Sequence, residues 1–146
     1  MKTGKTIGLI SCVSKKKDGS HKAKDLYISS LFFKAKEYAE KNLDKYYILS
    51  AKYGLLDPDE VIETYNETLK DKKVDERKKW AEDVFVKLKL LLGKDDEIVF
   101  LAGKYYREFL ETKLDEIGIS YQVPLTNYPI GKQLQWYDKK LSATNK

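Results

Sequence analysis

One cysteine among 146 residues excludes an internal disulfide, and Cys12 fits a reducing compartment. One histidine and one cysteine cannot make a zinc site of the usual kind. The same scarcity leaves only His21 for a Ser-His-acid triad, and His21 sits in a lysine-rich loop. Three prolines and eight glycines are too few for a low-complexity linker, and no internal repeat is present. No apolar run approaches the roughly 20 residues of a membrane helix. The apolar stretch after the charged residues 1–5 is also too short for a signal peptide. A cytoplasmic protein with no membrane partner is expected. The phosphate-cradling loop of P-loop proteins and the glycine fingerprint of dinucleotide-binding folds are both missing. Acids are fewer than bases, 23 against 28, so the formal charge is +5.

A chain of this length is most simply one domain, residues 1–141, with residues 142–146 as a frayed polar tail. A monomer is the simplest expectation. Four short apolar runs, at 7–11, 46–50, 98–101 and 121–125, each lead into a polar or glycine-containing turn. Continuous apolar runs of that length suit strands buried on both faces. Helical spacing separates them over 25–42, 74–92, 104–117 and 130–141. Gly93 and Gly118 are placed to end the second and third helices. Residues 51–73 carry Gly54 and Pro58 and read as one long irregular stretch, a length that is often functional. Strands alternating with helices predict an α/β fold: a three-layer α/β/α arrangement around a four-stranded parallel sheet.

In such a fold the turns after the strands converge at one edge, where ligands bind. Those turns carry Ser11, Cys12, Ser14 and Lys15 after the first strand, then Ser50, Lys52 and Tyr53 after the second. Lys104 and Tyr105 follow the third strand, and Asn127 follows the fourth. Lys15, Lys16, Lys52 and Lys104 would attract phosphates, which points to nucleic acid as a partner. Tyr53 and Tyr105 offer faces on which bases stack. Asn127 presents a donor and an acceptor together, as base-edge reading requires. Each also has an ordinary reading as a rim or turn residue. Cys12 could be an activated thiol beside lysines, or plain packing at a strand end. Asp25 and the cluster of Asp57, Asp59 and Glu60 are either helix caps and solvated loop or a source of a carboxylate that polarises water.

Three segments stand out: Ser-Cys-x-Ser-Lys-Lys at 11–16, Ala-Lys-Asp-Leu-Tyr at 23–27 and Ile-Leu-Ser-Ala-Lys-Tyr-Gly-Leu-Leu-Asp-Pro-Asp at 48–59. Leu-Ala-Gly at 101–103, Pro-Leu at 124–125 and Ile-Gly-x-Gln-Leu at 130–134 complete the pattern. Together these segments resemble a family of small bacterial and phage domains, DUF6884. The first segment also resembles one in archaeal enzymes that handle the modified tRNA guanine archaeosine. That domain is similar to the uracil-DNA glycosylase fold and to phage-defence glycosylases that remove hypermodified bases.

The resemblance implies a uracil-DNA glycosylase-like fold and a DNA N-glycosidase. Ser11, Cys12, Ser14, Ser50, Tyr53, Tyr105 and Asn127 would hold the base, and the four lysines the phosphates. Asp59 or Asp25 would be the catalytic carboxylate, because the first turn has Ser14 and Lys15 where the well-known glycosylases carry an acid. No histidine follows the fourth strand either, so a modified base is the expected substrate rather than uracil. No metal or cofactor is implied. A non-catalytic nucleotide, modified-base or nucleic-acid binding module is the alternative, and a hydrolase of free nucleosides a third reading.

Overall fold

A computed structural model describes residues 4–11 and 15–144. The elements run β1 (Thr6–Ser11), β2 (Ser20–Lys22), α1 (Ala23–Leu26), α2 (Ser30–Asn42), β3 (Lys45–Ser50), β4 (Gly54–Leu56) and β5 (Val61–Glu63). A 3-10 turn, Leu69–Asp71, follows, and then α3 (Val74–Leu91), β6 (Glu97–Leu101), α4 (Lys104–Ile117), β7 (Ser120–Gln122) and α5 (Ile130–Thr144).

The main sheet has five strands in the order β4-β3-β1-β6-β7. β1 pairs in parallel with β3 on one side and β6 on the other, and β7 runs parallel to β6. β4 is the exception, antiparallel to β3. The expected all-parallel sheet of four strands is therefore corrected to a mostly parallel sheet of five. The cause is local. Ser50 Oγ accepts the Tyr53 N–H at 3.0 Å, and Gly54 takes φ 77°, so the chain turns back on β3 at once.

β1 is buried from Ile7 to Ile10, as a strand covered on both faces must be. Alternate residues feed two cores. Ile7 and Leu9 pack with Ile98, Phe100 and the inner faces of α3 and α4. Ile10 packs with Ile48, Val99, Leu101 and residues of α2 and α5. Gly8 lies on the second face, where a Cβ would come within 2.8 Å of Leu43 Cδ1, so α2 can sit close to the strand.

The helices follow their spacing, with one exception. Trp80, Ala81, Val84 and Leu88 are the buried stripe of α3, and Tyr106, Leu110 and Leu114 that of α4. Gly118 ends α4 in the left-handed region, with the Ile119 N–H donating to Leu114 O at 3.0 Å. The segment read as one helix over 25–42 is two. Buried Tyr27 pairs by a β-bridge with Lys16 and breaks the helix, and Ser29 then caps α2 by accepting the Phe32 N–H at 3.1 Å. Residues read as irregular form a second, two-stranded sheet in which β2 pairs with β5. α5 runs on to Thr144, past the expected end at residue 141.

At the start of β1 two acids act as clamps. Asp96 accepts the N–H groups of Lys5 (2.8 Å) and Gly93 (2.7 Å), which hold its carboxyl below the usual carboxylate range. Asp44 accepts the Thr6 N–H at 2.8 Å and its hydroxyl at 3.0 Å. No helix among the described residues is long and apolar enough to cross a membrane.

Candidate functional site

The connection from β1 to β3 runs through α2 on one face of the sheet, whereas the return to β6 runs through α3 on the other. The strand order therefore reverses between β1 and β6. Open α/β sheets bind ligands at such a switch point, beyond the carboxyl ends of the strands. A cavity of about 870 Å³ lies there. Ser11 at the end of β1, Gly103 after β6 and Thr126 after β7 all border it.

Four residues singled out by the sequence meet in its lining: Ser11, Lys104, Tyr105 and Asn127. Ser11 Oγ accepts the Gly103 N–H at 3.2 Å, which joins the two strand ends and leaves the serine O–H free to donate. Gly103 is the N-cap of α4 and has no side chain to satisfy the helix's first N–H groups. That helix end, with Lys104 beside it, is a local positive pole. Tyr105 is 41% exposed and is braced by the Arg77 guanidinium, 4.9 Å from its ring centre. Arg77 is itself held by Glu108 at 3.3 Å. Asn127 adopts φ 67°, which asparagine tolerates better than other side chains. The turn is tied by Tyr128 N–H to Leu125 O (3.1 Å) and by the Gln133 amide to Tyr128 O (2.8 Å).

Other expected site residues lie elsewhere. Ser50 is fully buried; besides the Tyr53 N–H bond, its carbonyl accepts the Trp80 indole N–H at 2.8 Å. Tyr53 packs edge-on against Tyr65 and donates its hydroxyl to Glu63 O at 3.1 Å. Lys16 sits over Tyr65, 4.5 Å from the ring centre. Lys52 lies over Tyr53 at 5.3 Å, and Lys15 is exposed. None of these five lines the cavity. Cys12 and Ser14 lie outside the described residues.

The two expected catalytic acids are also apart from it. Because β4 runs backwards, it carries Asp57 and Asp59 toward the start of β3, where they line a smaller pocket of about 390 Å³ with Asp44, Lys45 and Tyr46. Asp59 is paired there with Lys24 at 3.0 Å and Lys22 at 3.8 Å. Its hydrogen bond with Lys24 holds the Asp59 carboxyl below the usual range and raises the Lys24 ammonium above its own. Asp25 follows Lys24 on α1, whose N–H donates to Pro58 O at 3.0 Å, and it is not part of the cavity lining.

The cavity adds residues the sequence did not single out: Lys70, Asp71, Arg107 and Gln133. Arg107 had a signal, three positions after Lys104 and so on the same side of α4. Its guanidinium is held by Glu111 at 2.8 Å. Gln133 lay inside the Ile-Gly-x-Gln-Leu segment. Asp71 had none beyond a run of charges.

Comparison with known families matches residues 7–139 to DUF6884, a family of unknown function. The chain belongs to this family. The DUF6884 match takes in every described element from β1 to most of α5, and so the whole cavity. This DUF6884 chain is 32% identical to the uncharacterized protein YfjM of Bacillus subtilis (strain 168), over 90% of its own length and 91% of that protein's. No solved structure matches it. Among the described residues, no group of three or more His, Cys, Asp and Glu could hold a metal ion.

Proposed function

We propose that the protein is a DNA N-glycosidase that takes one nucleotide, flipped out of the strand, into the switch-point cavity and hydrolyses its bond to a modified base. The observation that carries this reading is the meeting of Ser11, Lys104, Tyr105 and Asn127 around one half-enclosed space of about 870 Å³. That size suits a small organic ligand. A base inside a duplex is out of reach of such a cavity, so flipping is required. Lys104 and the uncapped start of α4 would hold a phosphate. Tyr105, stiffened by Arg77, would stack on the base. Asn127 and the free Ser11 O–H would read its polar edge.

The direct test incubates the protein with oligonucleotides carrying uracil, 5-hydroxymethyluracil, 5-hydroxymethylcytosine or hypoxanthine, single- and double-stranded. Release of free base, with an alkali-labile abasic site, is the expected result for at least one. Tight binding with no released base on any would count against hydrolysis.

That second outcome would favour a non-catalytic nucleotide-binding module. One observation supports this reading: Asp59 is neutralised by two lysines, and neither it nor Asp25 borders the cavity.

A further inference from the structure

A glycosidase needs a carboxylate that faces its substrate and is free to take a proton. Among the described residues, the lining of the switch-point cavity contains one acid, Asp71, amid many polar and aromatic side chains. We infer that Asp71 is the catalytic carboxylate of this site, an inference that rests on the glycosidase reading.

The turn that carries Asp71 is fixed on several sides. Leu69 is fully buried in the core beneath it. Tyr106 Oη accepts the Leu69 N–H at 3.5 Å, and Thr68 Oγ1 accepts the Lys70 N–H at 3.3 Å. The Asp71 N–H donates to Thr68 O at 3.2 Å, and the Lys72 N–H to Leu69 O at 3.1 Å. These contacts fix the backbone from which the Asp71 side chain projects, as catalytic geometry demands.

Its surroundings also set Asp71 apart. Lys70, Lys72 and Lys73 flank it in sequence, yet Lys72 turns to Glu67 at 3.2 Å, and among the described residues the Asp71 carboxylate makes no ion pair. Asp59, by contrast, carries two lysines. The positive pole of α4 and Lys104 border the same cavity. A phosphate held there and a carboxylate on the 3-10 turn would bracket the sugar of one nucleotide.

The step balances with water as the sole co-reactant. The C1′–N bond breaks, and its electron pair leaves with the base. Negative charge on Asp71 stabilises the oxocarbenium-like sugar. Water adds its oxygen to C1′ and gives one proton to the Asp71 carboxylate. Asp71 passes that proton on to the departing base through solvent and is restored as the carboxylate, so the products are free base and the sugar hemiacetal.

The test compares Asp71→Asn with wild type and with Asp83→Asn, a surface acid of α3 paired with Lys79. Base release and oligonucleotide binding are measured on the same modified-base oligonucleotides, with thermal melting as a check on folding. Asp71 is exposed, so its amide variant should melt as wild type does. The expected result is base release lowered roughly a hundredfold or more in Asp71→Asn, with binding kept within a few-fold and Asp83→Asn unchanged. Cleavage by Asp71→Asn within threefold of wild type overturns the assignment and leaves the glycosidase reading standing. A wild-type protein that binds but cleaves nothing overturns both.

Discussion

Ser11 accepts a hydrogen bond from the Gly103 N–H at 3.2 Å, across 92 positions of sequence. This contact joins the ends of β1 and β6 at the point where the chain changes faces of the sheet. It also ties the start of α4 to the first strand, and both residues border the cavity.

Removing it should cost both stability and binding. Ser11→Ala leaves the Gly103 N–H without its acceptor, at a cost of about 1 kcal/mol. Urea denaturation measures this, and nucleotide binding should weaken alongside. A variant with unchanged stability and unchanged affinity would show that the contact positions nothing.

The positive pole of the cavity should make a salt-dependent contribution to binding. Lys104→Gln should weaken binding of a single-stranded oligonucleotide and flatten the dependence of affinity on salt, because one fewer counterion is released. Lys79→Gln, at an exposed ion pair on α3, should do neither. Fluorescence anisotropy between 50 and 200 mM salt reads both. Equal slopes for wild type and Lys104→Gln would remove Lys104 from the phosphate contacts.

Leu69 links the core to the cavity. Leu69→Ala should destabilise the fold by about 2–5 kcal/mol, since a fully buried leucine leaves a void. If the turn it anchors positions Asp71, base release should fall more than oligonucleotide binding does, measured well below the variant's melting temperature. Equal losses would mean that the turn serves the fold alone.

The Asp96 clamp gives a signed prediction with pH. Its carboxyl sits below its unfolded value, mainly because the Lys5 and Gly93 N–H groups donate to the charged form. A depressed group stabilises fully above the unfolded pKa, about 3.9, and that stabilisation is lost as pH falls through the folded value. Denaturation midpoints should therefore drop below about pH 4 in wild type and drop less steeply in Asp96→Ala. Parallel pH profiles would contradict this.

Much of the scaffold was legible because α3 and α4 keep one apolar stripe over many turns, and because β1 and β6 are continuous apolar runs between them. Ser11, Lys104, Tyr105 and Asn127 could be grouped from the sequence for one reason: each lies at or beyond the end of a parallel strand at the same edge. Asp57 and Asp59 were misplaced because β4 is three residues long, too short for a period to register. Its reversal sends what looks like a strand-end loop to the other edge. Tyr27 hid a helix break, since an aromatic with helical spacing looks like core. Asp71 stayed hidden because its turn depends on tertiary anchors, Leu69 and Tyr106, that no local pattern announces.

The most direct test of the central claim is a titration of ¹⁵N-labelled protein with deoxynucleoside 5′-monophosphates, followed by amide shifts. The expected result is a set of saturable shifts at Ser11, Gly103, Lys104, Tyr105 and Asn127, with Tyr46 and Asp59 still. Shifts gathered around Tyr46 and Asp59, or none at the ends of β1 and β6, would contradict it.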